Sequence, residues 1–204
     1  MFAPGLYAIA DADHTPDVVA WGERLLESGV RTLQLRAKNW EPSEITAAAH
    51  SLVVSARRHG AVFILNDHPE IAAAVGAHGV HLGQTDMDPK RARGIVGAEM
   101  LIGLSTHTIA QVMQTRGGAS GADYLGFGPV FTTTSKVKAG TARGPDQLRE
   151  AVSTADLPVV AIGGISPSNI LRVIDAGPHA WATISALSGQ DGLHAAIREL
   201  TPAP

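Results

Sequence analysis

Eight short apolar runs recur along the chain at intervals of about 25 residues, a length that suits one strand followed by one helix. These runs predict the strands Leu6–Ala10, Thr32–Arg36, Val62–Asn66, Gly79–Leu82, Leu101–Ser105, Tyr124–Gly128, Val159–Gly163 and Ala182–Ser185. The stretch Val159–Ile162 is apolar at every position, which is typical of strands in a parallel sheet that is covered on both faces. The repeat therefore constrains the fold more than any other feature of the chain.

The segments between these runs carry helix-start signals, chiefly proline, serine, threonine and acidic residues. Helices are predicted to begin near Thr15, Pro42, Pro69, Pro89, Thr106, Pro145, Ser166 and Gln190. Eight strand–helix units without an interdomain linker predict one α/β domain over residues 1–204, a (β/α)8 TIM barrel. The alternative is an open doubly wound sheet, which usually has fewer strands and places its ligand at a single switch point.

Composition excludes several function classes. The formal net charge of −3 argues against a general electrostatic grip on nucleic acid or on an anionic membrane. The chain has no cysteine, which rules out disulfides, thiolate metal sites and a cysteine nucleophile. No apolar run approaches the ~20 residues of a spanning helix, and no signal peptide is recognisable at the N-terminus. We therefore expect a soluble cytoplasmic protein. The sequence leaves open whether the chain forms a homodimer.

The clearest functional pattern lies in the second predicted strand and just beyond it. Alternation places Gln34, Arg36 and Lys38 on one face and Leu33 on the other. Two cations this close are costly unless an anion lies between them. The pattern predicts a pocket for pyrophosphate or polyphosphate.

Two carboxylates follow neighbouring strands, Asp67 after the third and Asp86 after the fourth. Hard oxygen ligands of this kind suit Mg²⁺, which also binds substrate phosphates. The alternative is that Asp67 caps the helix starting at Pro69 and that Asp86 lies in a solvated turn. Their position beside the cationic strand favours the metal.

A second anion site is predicted at the last two strands. Gly163 and Gly164 can expose backbone N–H groups at a helix start, and Ser185 would close the resulting phosphate cup. The alternative is a glycine turn chosen for tight packing. The polar loop 132–136 is predicted to cover a ligand, and Gly126 and Gly128 to admit a ligand close to the backbone.

The histidines show no zinc spacing, and neither a Walker A nor a GxGxxG motif is present. His81 is predicted to be structural, while His107 suits either ligand contact or a helix start. Two anion sites in one mouth suggest a reaction that joins a pyrophosphate substrate to a phosphorylated acceptor.

Several motifs together resemble the thiamine-phosphate synthase family, in order from about Leu6 to Leu200. The motifs are Gln34–Lys38, Leu65–Asp67, Gly79–Asp86, Ser105–His107, Gly126–Phe131, Val160–Ile165 and Ile184–Ala186. The resemblance implies a barrel that joins hydroxymethylpyrimidine pyrophosphate to thiazole phosphate, or its carboxylate, and releases pyrophosphate. It also implies Mg²⁺ as cofactor, small phosphorylated substrates as partners, and a dissociative mechanism.

The resemblance also assigns roles to residues. Those implied to bind the substrates are Gln34, Arg36, Lys38, Asn66, Ser105, Thr133, Ser135, Lys136, Gly164, Ile184 and Ser185. The implied catalytic residues are Arg36, Lys38, Ser105 and Lys136, and the implied metal ligands are Asp67 and Asp86. Two departures from the family pattern are Thr132, where proline is frequent, and Ser135, where threonine is usual.

Two other functions compete with this one. The sister thiazole tautomerase resembles the synthase but typically lacks both aspartates and carries a catalytic histidine where this chain has Pro129. A non-catalytic barrel that binds thiamine phosphate is the second, and the converging charges argue against it because they are costly to keep without a use.

Overall fold

Eight parallel strands form a closed barrel in a computed structural model that describes residues 2–133, 140–187 and 192–202. Each strand pairs with the next, and β8 pairs with β1 to complete the circle. The strands are β1 (Gly5–Asp11), β2 (Thr32–Arg36), β3 (Val62–Asn66), β4 (Gly79–Leu82), β5 (Leu101–Thr106), β6 (Tyr124–Phe127), β7 (Val159–Ile162) and β8 (Ala180–Thr183). The predicted barrel is confirmed.

A helix follows each strand and packs on the outside of the barrel. The helices are α1 (Val18–Glu27), α2 (Pro42–Arg58), α3 (Pro69–Val75), α4 (Pro89–Val96), α5 (Ile109–Gln114), α6 (Gly144–Thr154), α7 (Ile170–Asp175) and α8 (Leu193–Leu200). Within the described part of the chain, no helix is both long and apolar enough to cross a bilayer.

Side-chain alternation divides the core into two layers. In β1, Leu6 and Ala8 face the helices, whereas Tyr7 and Ile9 face the barrel interior. The interior layer is capped by Phe2, whose ring meets Tyr7 and Tyr124 edge to face. The last inward position of each strand is therefore the one that reaches the open mouth.

Strand β8 differs from its predicted position by two residues. It covers Ala180–Thr183, and Ser185, predicted to end it, begins a short 3₁₀ turn. The indole N–H of Trp181 donates to the carbonyl of Leu200 at 2.8 Å. Trp181 thus packs outward against α8, and its bulk is accommodated in the outer layer instead of the barrel interior.

Helix starts agree at three of the predicted prolines, whereas α1 and α7 begin after Pro16 and Pro167. Helices α2, α3 and α4 begin at the predicted prolines. Helix α1 begins at Val18 because the Asp17 carboxylate, instead of Thr15, accepts the N–H of Ala20. Helix α7 begins at Ile170, after a turn in which Asn169 accepts the N–H of Ser166. The start predicted near Gln190 lies outside the described residues.

Candidate active site

A cavity of about 690 Å³ opens at the carboxyl end of the barrel. Its walls come from loops after strands on every side of the mouth. The predicted site residues that line it are Arg36, Lys38, Asp86, Ser105, Thr133, Gly164, Ile184 and Ser185. Residues predicted from both ends of the chain thus meet in one space.

The other predicted site residues fall into two groups. Gln34 and Asn66 are buried at β2 and β3, and Asp67 follows β3 beside Lys38. None of these three is among the residues that line the cavity itself. Ser135 and Lys136, predicted for the cover loop, lie outside the described residues.

Strand β2 carries its polar side chains inward, as its alternation predicts. Gln34 is 4% exposed, and its amide nitrogen donates to the Tyr7 hydroxyl at 2.8 Å. Leu33 and Leu35 pack outward in the helix-facing layer. Arg36, next on the inward face, reaches the cavity.

Arg36 has protein counterions that the sequence interpretation did not include. Its guanidinium donates to the buried Asp11 carboxylate at 2.6 Å and to Asp13 at 3.4 Å. Asn39 donates to Asp13 and holds that carboxylate in place. The idea that only an external anion balances these cations is therefore wrong for Arg36. The buried Arg36 Nε, however, has no hydrogen-bond partner among the described residues.

Lys38 and the two predicted metal aspartates form a second charged group. Lys38 Nζ lies 2.9 Å from Asp67 Oδ2, and the Asp86 carboxylate is close enough to Asp67 to shift its pKa. Burial, together with the Asp86 carboxylate, raises the pKa of Asp67. Although burial opposes it, hydrogen bonds from Asp67 and from the Gly83 N–H lower the pKa of Asp86. The two carboxylates thus differ in acidity, with Asp86 the more readily ionised.

Asp67 also has an unusual backbone. Its φ is +69°, the left-handed region that side chains other than glycine rarely adopt. The helix-capping alternative does not hold, because His68 occupies the N-cap of α3. For Asp86 the turn alternative holds in part, since it accepts the Gly83 N–H at 2.7 Å. Strain of this kind at a polar residue is typical of functional sites.

The donor set suits Mg²⁺ better than a metal held by protein alone. The described residues contain no group of three or more histidine, aspartate or glutamate side chains that could hold a metal ion. Mg²⁺ is typically bound by one or two carboxylates while water and substrate phosphates complete its shell. Asp67 and Asp86, two carboxylates that follow neighbouring strands, fit that pattern.

The opposite wall is built from the β7 loop and the turn after β8. Gly163 and Gly164 both have positive φ, and a Cβ on Gly164 would lie 2.5 Å from the Thr132 carbonyl oxygen. The packing explanation for these glycines therefore holds, and the phosphate cup stays a prediction. Asn169 donates to the Gly164 carbonyl at 2.8 Å and fixes the loop beside Ser185 at the cavity.

Two other glycines also make room for protein. A Cβ on Gly126 would lie 3.1 Å from the His81 ring, and one on Gly128 would collide with the Ile162 carbonyl. Gly128 lines the cavity, so the prediction that these glycines admit a ligand to the backbone stays a prediction. His81 does not line the cavity, and its Nε2 lies 2.9 Å from Ser105 Oγ. His107 lines the cavity, with Nδ1 2.7 Å from the Gly128 carbonyl oxygen.

Sequence reasoning missed Asp11, Asp13, Tyr7 and Tyr124. Asp11 and Asp13 follow the predicted first strand, so the same attention to strand ends would have found them. Tyr7 and Tyr124 lie inside strands, far apart in the chain, and their hydroxyls meet at 3.1 Å. No local sequence signal predicts that contact.

Comparisons with known proteins point to one family. A family model described as thiamine monophosphate synthase matches residues 6–187. The chain is 42% identical over 196 residues to the "Thiamine biosynthesis bifunctional protein ThiM/ThiE" of Symbiobacterium thermophilum, covering 96% of this chain and 40% of that protein. It is 35% identical over 198 residues to the "Thiamine-phosphate synthase" of Chlorobium limicola, covering 97% of this chain and 92% of that protein.

A solved structure gives the same picture. The "Thiamine phosphate pyrophosphorylase" of Pyrococcus furiosus superposes with a TM-score of 0.85 at 34% identity, covering 96% of this chain and 93% of that one. The chain thus spans less than half of the bifunctional relative but nearly all of the single-function ones.

Proposed function

The chain belongs to the thiamine monophosphate synthase family, and we propose that it joins hydroxymethylpyrimidine pyrophosphate to thiazole phosphate by a Mg²⁺-assisted dissociative substitution. It is a transferase with the function of a thiamine-phosphate synthase. The observation that carries the proposed mechanism is one cavity with a charged wall at β2–β4 and a glycine-rich wall at β7–β8. A reaction between two phosphorylated substrates needs both walls.

The charged wall is proposed to bind the pyrimidine pyrophosphate. Arg36 and Lys38 line the cavity there and present cationic donors to a phosphate group. Asp11 and Asp13 hold one side of the guanidinium, which fixes its plane before substrate arrives. Gln34 and Asn66 are proposed to contact the pyrimidine side, below these cations.

The glycine-rich wall is proposed to bind the thiazole phosphate. Gly164, Ile184 and Ser185 line it together, so a phosphate there meets backbone and hydroxyl donors. Thr133 lines the cavity at the edge of the same wall. Ser135 and Lys136 are proposed to complete this region from the loop.

Asp67 and Asp86 are proposed to hold Mg²⁺. When bound, the ion would neutralise charge on the departing pyrophosphate, which no side chain of this wall does as strongly. Lys38 already forms an ion pair with Asp67, so an amine and two carboxylates lie close together where that charge would develop. The left-handed backbone of Asp67 keeps its carboxylate in this place.

The proposed reaction has two bond changes. The carbon–oxygen bond to pyrophosphate breaks with both electrons leaving on oxygen, and the resulting pyrimidine methyl cation is captured by the thiazole nitrogen lone pair. Arg36 and Lys38 stabilise the developing negative charge, and no protein nucleophile is required. Holding both substrates in one cavity supplies much of the remaining acceleration.

Turnover with defined substrates tests this function. The purified chain is given both phosphorylated substrates with Mg²⁺, and thiamine phosphate and pyrophosphate are quantified. We expect both products in equal amounts, and none with EDTA or with either substrate alone. Conversion of a thiazole tautomer alone, indifferent to EDTA, would instead identify the tautomerase. Tight binding of thiamine phosphate without turnover would identify a binding protein.

A further inference from the structure

A continuous chain of hydrogen bonds crosses the barrel interior beneath the cavity. Gln34 Nε2 donates to the Tyr7 hydroxyl at 2.8 Å, and the Tyr7 and Tyr124 hydroxyls are 3.1 Å apart. The Tyr124 hydroxyl lies 3.1 Å from His81 Nδ1, and His81 Nε2 lies 2.9 Å from Ser105 Oγ. The chain therefore joins β2 to β5, with a proposed substrate-binding residue at each end.

The sequence leaves room for this chain at two glycines. A Cβ on Gly103 would lie 2.5 Å from the Tyr124 hydroxyl and closer still to its ring and to His81. A Cβ on Gly126 would press on the His81 ring from the neighbouring strand. Tyr7 and Tyr124 are 2% and 1% exposed, so water does not substitute for their partners. The contacts are thus built into the core.

Proton counting gives the chain a direction. The Tyr7 oxygen accepts from Gln34, so its own proton must be donated to Tyr124, because a buried hydroxyl without an acceptor is costly. Tyr124 must then donate to His81 Nδ1. His81 is therefore the neutral imidazole with its proton on Nε2, and it donates to Ser105 Oγ.

Burial keeps both tyrosine hydroxyls protonated, as this direction of donation requires. Loss of solvent raises the pKa of Tyr7 and, together with the neighbouring Tyr7, that of Tyr124, so both hydroxyls keep their protons. Since Ser105 Oγ accepts from His81, its own proton is left to point into the cavity that Ser105 lines.

We propose that Tyr124 and His81 are positioning residues, which fix Ser105 as a hydrogen-bond donor toward an acceptor atom of the substrate. The Tyr124 hydroxyl sets the His81 tautomer by donating to Nδ1, and Ser105 accepts from Nε2. This inference rests on the proposed function, because it assigns Ser105 to the substrate site. Among the described residues, neither Tyr124 nor His81 lines the cavity, so neither is expected to touch the substrate.

A double-mutant cycle measures that coupling. In Tyr124→Phe, His81 is free to carry its proton on Nδ1, and the Ser105 hydroxyl then turns back to donate to Nε2. We expect kcat/KM to fall about tenfold, as for the loss of one hydrogen bond. In a Ser105→Ala background, the same change should alter kcat/KM by less than about twofold. A similar fall in both backgrounds would overturn the proposal.

Tyr7→Phe is the matched control. It removes an equally buried hydroxyl from the same cluster, yet leaves Tyr124 able to donate to His81. Its effect on kcat/KM should be the same with Ser105 and with Ser105→Ala. Coupling of equal size for both tyrosines would show a general packing effect and would also overturn the proposal.

A measurement on the unmodified chain keeps the proposal testable if a variant fails to fold. Nitrogen-15 NMR of the histidine side chains distinguishes the two neutral tautomers from the imidazolium. We expect His81 protonated on Nε2 only, and a proton on Nδ1, alone or in an imidazolium, contradicts the proposal. Absence of thiamine phosphate formation by the unmodified chain would defeat the proposed function, while the tautomer would remain measurable.

Discussion

At the scale of the single residue, Arg36 links two charged groups to the substrate space. It lies between the cavity and two carboxylates at the end of β1, Asp11 and Asp13. Arg36→Ala should weaken binding of the pyrimidine pyrophosphate by ~1.5–3 kcal/mol, the cost of a charged hydrogen bond. Binding of thiazole phosphate should be unchanged because it uses the opposite wall. Titration calorimetry with each ligand separates the two effects.

Arg149→Ala is the control for that change. Arg149 is an arginine on α6 paired with Asp146 and Asp175, and it does not line the cavity. Its loss should leave both affinities as they are. Equal losses for both ligands in Arg36→Ala would count against separate walls.

Asp67 gives a prediction about stability. Burial, then the Asp86 carboxylate, raises its pKa above the ordinary value of 3.8, so the folded chain favours the protonated acid. The stability contributed by that protonation is complete below pH 3.8 and is lost as pH rises through the raised folded-state value. Asparagine resembles the protonated acid and tolerates positive φ.

Asp67→Asn should therefore unfold at a higher temperature than the unmodified chain at pH 7 without Mg²⁺, and the difference should shrink at acidic pH. Thermal unfolding in EDTA at several pH values measures this. Asp146→Asn, at an almost fully exposed carboxylate, is the comparison and should change little. An Asp67→Asn chain that unfolds at a lower temperature than the unmodified chain at pH 7 would contradict the raised pKa of Asp67.

At the scale of the element, strands β5 and β6 show how glycines shape the barrel interior. Gly103→Ala places a methyl group on the Tyr124 ring and should lower the free energy of unfolding by ~1–3 kcal/mol, as overpacking does. Gly94→Ala is the matched change in α4, where a Cβ would meet nothing within 4 Å, and it should raise that free energy by ~0.5–1 kcal/mol. Urea unfolding compares the two, and a stabilising Gly103→Ala would contradict the packing described.

The same elements show what a sequence can and cannot predict. The inward face of β2 follows from alternation, because a one-residue slip would bury Arg36 among helices. The two-residue shift of β8 does not follow, since Ala180–Ile184 is apolar or small on both faces. Its register is set by pairing with β1 and β7 and by the Trp181 contact with Leu200. The prolines that open α2, α3 and α4 are local signals in the sequence. The later start of α7 depends on one hydrogen bond, from the Ser166 N–H to the Asn169 side chain.

At the scale of the whole molecule, closure of the barrel explains how distant residues form one site. Pairing of β1 with both β2 and β8 puts Arg36 and Ser185, far apart in sequence, on either side of the β1 end around one cavity. The strand count predicts this closure. It does not predict the counterion Asp11 or the Tyr7–Tyr124 contact, because these depend on how side chains from different strands meet inside the closed barrel.

The central claim is that side chains of β2, β3 and β4 bind one Mg²⁺-bridged diphosphate, separate from the thiazole phosphate wall. Calorimetric titration of the pyrimidine pyrophosphate into the unmodified chain, Asp86→Asn and the exposed control Asp146→Asn, each with and without Mg²⁺, tests it most directly. We predict Mg²⁺-dependent binding that Asp86→Asn loses and Asp146→Asn keeps, with thiazole phosphate bound by all three. Equal affinity with and without Mg²⁺ in the unmodified chain would contradict the account.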